Sequence, residues 1–104
     1  MSAVTLRPRA QNDLDKIWDH TVERWGDAQA ESYIRDLWHG IGLLADDARR
    51  GRECPEIRAG YRKYQVASHI IFYRAAEGGI EVVRILHKRM DFARHFPAAS
   101  SGRP

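Results

Sequence analysis

The stretch that decides the fold is IEVVRILHKRMDFARHF, Ile80 to Phe96. It begins as a run of β-branched and aliphatic residues with little polar interruption, which is typical of a buried strand. The run ends in a basic cluster that contains a histidine, made of His87, Lys88 and Arg89 and followed by Asp91. Such a strand end could cleave RNA or bind an acidic partner, or it could have no function beyond ending the strand in solvent.

Two further strands precede this one. YRKYQV, Tyr61 to Val66, alternates in polarity, and HIIFYR, His69 to Arg74, is a β-branched and aromatic run. AEGG, Ala76 to Gly79, has the composition of a turn. The short links predict an antiparallel meander of three strands.

The first half predicts one short strand and two amphipathic helices. After the strand AVTLR, Ala3 to Arg7, apolar residues recur at helical spacing over 10–25 and again over 30–45. Only Gly26 and Asp27 separate the two patterns, so the helices are expected to form an antiparallel hairpin.

The element order is therefore β-α-α-β-β-β. A hairpin with one apolar stripe per helix needs an apolar surface to cover, and the meander supplies it. We predict a two-layer α+β fold, a helical hairpin packed on an antiparallel sheet, with one domain over residues 1–97 and a flexible tail over 98–104. The three tryptophans lie on the helix stripes and are expected in the core or between the helices: Trp18, Trp25 and Trp38.

Composition excludes several classes of function. The chain has 104 residues and a single cysteine, Cys54, which rules out an internal disulfide and favours a reducing, cytoplasmic protein. No apolar run is long enough to span a membrane, and the start lacks the apolar region of a signal peptide. The histidines lack metal-ligand spacing, and phosphate-cradling and dinucleotide motifs are missing, so neither a metal nor a cofactor is expected.

The charge is divided unequally along the chain. Residues 1–48 carry five Lys or Arg and nine Asp or Glu, a net charge of −4, whereas residues 49–104 carry twelve and five, a net charge of +7. Most of the excess comes from arginine, whose planar fork suits carboxylates and phosphates. The second half is therefore expected to bind an acidic partner, either a nucleic acid or an acidic protein segment.

The basic strand surface holds the candidate site residues. RNA cleavage without a metal needs a general base, a general acid and cations that hold the charged phosphorane. A ribonuclease reading would use Arg62, Lys63, Arg84, His87 and Arg89. A reading in which the surface only binds, with no catalytic residue, would use Arg58, Arg62, Arg84, His87, Lys88 and Arg89.

The element order, together with YRKYQVASHIIFYRAAEGGIEVVRILHKRMDFARHF, resembles the RelE/ParE toxins of bacterial type II toxin–antitoxin systems. The resemblance runs from Ala3 to about Pro97. Within this superfamily, VVRILHKRMD looks like the ParE branch, in which the last strand ends in Arg-x-Leu-His followed by basic residues and Asp.

This resemblance carries specific expectations. ParE-type toxins poison DNA gyrase by trapping its cleaved-DNA state, and a ParD-type antitoxin neutralises them through an acidic and apolar C-terminal segment. The ribbon-helix-helix part of that antitoxin would bind operator DNA, so this chain would contact the operator only indirectly, within a hetero-oligomeric complex. The alternative is a RelE-like ribosome-dependent mRNA endoribonuclease. The region after His87 lacks the tyrosine that such enzymes can carry there, although His87 itself could serve as acid or base.

Overall fold

The structure of the protein is a computed structural model that describes residues 2–96. Its strands and helices, in chain order, are β1 (Ala3–Leu6), α1 (Pro8–Trp25), α2 (Asp27–Asp46), β2 (Arg52–Glu53), β3 (Tyr61–Val66), β4 (His69–Ala76) and β5 (Gly79–His87). Two 3₁₀ helices, Ala48–Arg50 and Phe92–His95, follow α2 and β5. The predicted element order is confirmed, with β2 as an addition. The predicted tail, residues 98–104, lies outside the described residues, so the domain boundary stays a prediction.

The sheet has five strands in the order β1-β5-β4-β3-β2. The antiparallel meander of β3, β4 and β5 is confirmed, and β2 extends it by two residues. β1 instead runs parallel to β5, with Ala3 opposite Gly79 and Leu6 opposite Val82. The sheet is therefore mixed and not purely antiparallel. After the helical hairpin and the meander, the last strand, β5, lies beside β1 and runs in the same direction.

Tight turns fix the register of the meander. Ala67, with φ of 53°, begins the two-residue link between β3 and β4, and Gly78, with φ of 76°, ends the link between β4 and β5. The pairing of β4 with β5 shifts between Phe72 and Tyr73, which lie opposite Arg84 and Val82. Val83 is the extra residue of this β-bulge, and such a bulge bends the strand and redirects the side chains beyond it.

The helices cover one face of the sheet. Leu14 and Ile17 of α1 and Leu37 and Ile41 of α2 pack against apolar side chains of β4 and β5, among which Tyr73 is fully buried. Each fully buried aliphatic side chain of this kind contributes about 1.5–3 kcal/mol through removal from water. The predicted packing of the hairpin on the meander is confirmed.

A second apolar cluster lies on the opposite face of the sheet, which the sequence did not predict. Phe72 stands at its centre, with its ring 5.0 Å from that of Phe92 and 5.1 Å from that of Phe96. Cys54 is fully buried in the same cluster, and this burial raises the pKa of its thiol. A buried thiol whose pKa is raised is a poor nucleophile, so Cys54 serves as a core residue.

The positions of the tryptophans differ from the prediction. Trp25 is 68% exposed and Trp38 is 42% exposed, whereas Trp18 is half-buried. Leu37 takes the fully buried position on α2, and Trp38, one residue later, is turned about 100° away from it around the helix axis. The expectation of core contacts was therefore wrong for Trp25 and Trp38, because the buried stripes are narrower than the apolar pattern.

Gly79 lies where β1 approaches β5, and it provides a test of that pairing. A Cβ on Gly79 would overlap the backbone of Ala3, whereas a Cβ on Gly42 of α2 would meet nothing within 4 Å. We expect Gly79→Ala to lower the free energy of unfolding by about 1–3 kcal/mol, because β1 must shift. Gly42→Ala should raise it by up to about 1 kcal/mol through helix propensity. Urea denaturation measures both, and a stabilising Gly79→Ala would contradict the parallel pairing.

Candidate functional site

The shortest ion pair among residues 2–96 joins α1 to β5. The Arg84 guanidinium donates to both carboxylate oxygens of Asp13, with Nε–Oδ2 and Nη2–Oδ1 distances of 2.8 and 2.9 Å. The same Oδ2 accepts the backbone N–H of Ile85 at 2.9 Å. The two side chains are only 14% and 10% exposed, and the Asp13 carboxylate raises the pKa of Arg84. This arrangement holds the helix against the strand.

Arg84 is therefore engaged inside the protein. Its remaining Nη1 donates to the carbonyl of His95 at 3.1 Å, in the 3₁₀ helix that covers the opposite face of the sheet. One side chain thus contacts a helix on one side and the C-terminal cap on the other. The sequence marked Arg84 as a site residue, and the structure places its fork on fixed internal partners.

Arg62 and Lys63 lie on β3 and also have internal partners. Arg62 donates to the carbonyl of Gly51 at 2.7 Å and pairs with Glu53 at 3.3 Å. Lys63 lies 3.9 Å from a carboxylate oxygen of Glu56. Both side chains are half-buried, so their reach into solvent is limited.

These β3 cations do not converge on His87. Val66, at the end of β3, lies in register with His69 and through it with His87, whereas Arg62 is four residues earlier on the same strand. With strands about 4.8 Å apart and a rise of about 3.3 Å per residue, the Cα atoms of Arg62 and His87 are about 16 Å apart. The five residues of the ribonuclease reading are therefore spread along the sheet.

His87 belongs to a cluster with Tyr33 and His69. The backbone N–H of Ser68 donates to the Tyr33 hydroxyl at 3.1 Å, and that hydroxyl lies 2.6 Å from Nδ1 of His69. We assign the hydroxyl hydrogen to this second contact, since its oxygen already accepts from Ser68. The His69 and His87 rings meet edge to face, 5.2 Å apart. Desolvation lowers the pKa of His69 to about 4, with His87 and His20 acting in the same direction and Asp13 opposing them.

Local backbone contacts determine the chemistry open to His87. Its Nδ1 accepts the backbone N–H of Arg89 at 3.1 Å, so the neutral ring carries its hydrogen on Nε2. The lone pair that a general base would use is thereby occupied. The backbone of the turn is held by two further bonds, from Lys88 N–H to Ser68 and from Met90 N–H to His87, while the side chains of Lys88 and Arg89 are exposed.

Arg58 lies in a different place from this turn. It lines a cleft of about 490 Å³ near the start of α1, together with Arg84. The candidate residues thus fall into three groups: Arg58 and Arg84 at the cleft, Arg62 and Lys63 on β3, and His87, Lys88 and Arg89 at the strand end. The sequence missed Tyr33 and His69, although the register of a tight β3–β4–β5 meander would have brought His69 opposite His87.

Neither a metal centre nor a membrane-spanning helix lies within the described part of the chain. Residues 2–96 contain no group of three or more His, Cys, Asp or Glu side chains placed to hold a metal ion. Within the same residues, no helix has the length and apolar character needed to cross a membrane.

Comparisons with known proteins identify close relatives. The family model described as "ParE toxin of type II toxin-antitoxin system, parDE" matches residues 4–92. Toxin ParE1 of Mycobacterium tuberculosis H37Rv is 53% identical over 95 residues, which cover 90% of this chain and 97% of the relative. Toxin ParE1 of Caulobacter vibrioides is 38% identical over 95 residues, covering 91% and 98%. A solved structure of the chromosomal ParDE TA system from P. aeruginosa matches with a TM-score of 0.72 and 25% identity, covering 84% and 96%.

The helical hairpin on a mixed sheet, together with these matches, defines a small α+β toxin of the RelE/ParE class. The matched family model spans most of the described residues, and relatives of almost the same length share up to 53% of their residues over it. The chain belongs to the ParE toxin family of type II toxin–antitoxin systems. The resemblance found in the sequence is confirmed, and an antitoxin partner follows from membership of such a system.

The half-buried His69 makes the stability of the fold depend on pH. Its folded pKa of about 4 lies below the ordinary value of 6.5, so the unfolded chain binds the proton more readily. The neutral His69 therefore contributes to the free energy of unfolding, and this contribution is fully present above pH 6.5. It is lost as the pH falls towards 4, and the loss amounts to up to about 3 kcal/mol.

Urea denaturation at pH 7.5, 5.5 and 4 measures this effect. His69→Asn keeps an acceptor for Tyr33 and removes the titrating ring, so the loss of stability between pH 7.5 and 4 should be smaller in the variant. Carboxylates titrate in both proteins and cancel in the comparison. Equal losses in the wild type and the variant would show that His69 is not held in its neutral form.

Proposed function

We propose that this chain is a cytoplasmic gyrase inhibitor that is neutralised by a ParD-type antitoxin. Membership of the ParE family supports the proposal, and so does the geometry of the strand end. The observation that carries it is the pair of exposed cations, Lys88 and Arg89, on a turn whose backbone is fixed by hydrogen bonds. A preorganised cationic edge loses little conformational freedom when it binds a large partner.

Proton transfer at His87 fits this geometry poorly. Its Nδ1 is occupied by a backbone N–H, and Arg62 is about 16 Å away by strand geometry. Arg84 donates to Asp13, so it is not available to hold a phosphorane beside His87. A catalytic group must lie within hydrogen-bond reach of the atom it serves. The RelE-like ribonuclease alternative therefore becomes an outcome of the test below.

The antitoxin part of the proposal draws on charge. The half of the chain from residue 49 onward has a net charge of +7, which complements an acidic and apolar C-terminal segment. Such a segment would order as it binds and bury apolar side chains. Operator DNA would then be bound by the antitoxin, with this chain attached indirectly in a hetero-oligomeric complex.

Reversing the charge of the strand end tests the proposal. Lys88→Glu with Arg89→Glu should weaken inhibition of gyrase at least about tenfold, because like charges would then face each other across the interface. His87→Gln should change inhibition less than tenfold, the usual worth of one polar group that is partly open to solvent. The matched control is Arg24→Glu with Arg35→Glu, which makes the same change in net charge at exposed helix positions.

Supercoiling and DNA-cleavage assays with purified gyrase measure this, beside an mRNA-cleavage assay with ribosomes. Circular dichroism confirms that each variant folds. If wild type cleaves ribosome-bound mRNA and leaves gyrase active, and if His87→Gln loses two to four orders of magnitude of that cleavage, the chain is a ribonuclease.

A further inference from the structure

A cleft with arginines around an apolar floor opens at the start of α1, away from the turn at Lys88 and Arg89. Its volume is about 490 Å³, within the range of ordinary ligand-binding pockets. The apolar part of its lining comes from Pro8, Tyr61, Val83 and Phe96, and the charged part is formed by Arg7, Arg9, Arg58 and Arg84.

Two of the four arginines in the cleft are held rigidly. Arg84 is fixed by Asp13, and Arg7 donates to both carboxylate oxygens of Glu81, at 3.0 and 3.3 Å. The Arg7 contact lowers the pKa of Glu81, so this carboxylate stays charged. These pairs leave the forks in defined positions at the wall of the cleft.

The other two arginines supply the excess positive charge. Arg9 and Arg58 are exposed, and within residues 2–96 neither forms an ion pair. Arg58 lies 5.9 Å from the centre of the Tyr61 ring, which keeps its charge over the cleft. α1 begins in the same place without a side-chain cap or an acidic residue in its first turn, which adds a partial positive charge. Four guanidinium groups thus face only two carboxylates.

The shape of the cleft favours a peptide over a nucleic acid. Single strands bind proteins mainly by stacking bases on exposed aromatic rings. Tyr61 is only 5% exposed and its ring packs edge to face with Phe96, 6.1 Å away, so its face is not available to a base. An apolar floor with an arginine rim instead suits an apolar side chain flanked by carboxylates, since each arginine can hold a carboxylate with two hydrogen bonds.

We propose that this cleft is the anchor point for an acidic peptide segment of the antitoxin, which places one apolar side chain on the cleft floor beside Pro8 and Phe96 and its carboxylates on Arg9 and Arg58. The inference rests on the antitoxin part of the proposed function and is independent of gyrase. It separates two surfaces: the cleft receives the antitoxin segment, and the turn at Lys88 and Arg89 meets the target.

The test uses the full chain and, as the probe, the full-length ParD-type antitoxin of the same toxin–antitoxin system. Arg9→Glu with Arg58→Glu should weaken the antitoxin complex at least about a hundredfold, since carboxylates would face carboxylates. Arg24→Glu with Arg35→Glu makes the same change in net charge outside the cleft and should change affinity less than about threefold. Calorimetry or surface plasmon resonance measures both. Arg9→Glu alone should leave Tm unchanged or higher, because an acidic residue suits the first turn of a helix.

Several outcomes would overturn the inference. They are equal weakening by the two double variants, no weakening by the cleft variant, and a wild-type chain that does not bind the antitoxin. A single-stranded RNA 20-mer and a DNA duplex of the same length form a second arm. If wild type binds either one and the cleft variant does not, while both bind the antitoxin equally, the cleft is a nucleic-acid site.

Inhibition of gyrase, measured without antitoxin, separates this inference from the proposed target. The cleft variant should inhibit gyrase as wild type does. If wild type fails to inhibit gyrase and the cleft variant still loses the antitoxin, the proposed target is wrong and the cleft assignment stands. If wild type inhibits gyrase and the cleft variant keeps its affinity for the antitoxin, the cleft assignment is wrong and the proposed target stands.

Discussion

The rest of the structure depends on the contacts that the Asp13 carboxylate makes with β5. β1 ends at Leu6 and the chain turns into α1, while β5 continues to His87, so the outward N–H of Ile85 has no strand beside it. Asp13 accepts that N–H and holds Arg84 by two further bonds. A buried ion pair adds little net stability because both groups lose water, but removal of one partner costs about 3–5 kcal/mol. Its main effect here is to fix α1 against the sheet.

This contact also determines which basic residues remain for binding. Arg84 links Asp13 to the His95 carbonyl, and so it ties the helix layer to the aromatic cap on the far face of the sheet. Arg62 and Lys63 have partners around β2. Arg9 and Arg58 at the cleft and Lys88 and Arg89 at the turn are exposed, and they are the cations of the two proposed surfaces. A domain of this size can thus present two positive surfaces on one rigid frame.

Local patterns predicted most of the fold, and long-range contacts explain the rest. The strands of the meander, the two helices and their hairpin followed from periodicity and turn residues. The parallel place of β1 and the aromatic layer around Phe72 depend on contacts between distant segments, which no local pattern records. The sequence suggested a site role for Arg84 because its ion-pair partner, Asp13, is 71 positions away along the chain. The exposure of Trp38 depends on how wide a stripe the sheet can cover, which the helix pattern alone does not give.

The central claim is that Arg84 serves the fold through Asp13, and a double-mutant cycle tests it most directly. Urea denaturation gives the free energy of unfolding for wild type, Asp13→Asn, Arg84→Gln and the double variant. The structure predicts that the losses of unfolding free energy in the two single variants add up to at least about 2 kcal/mol more than the loss in the double variant. The reason is that each single change leaves a buried charge unpaired. Losses that add to within about 0.5 kcal/mol would contradict the account, since they would show that the two side chains act independently.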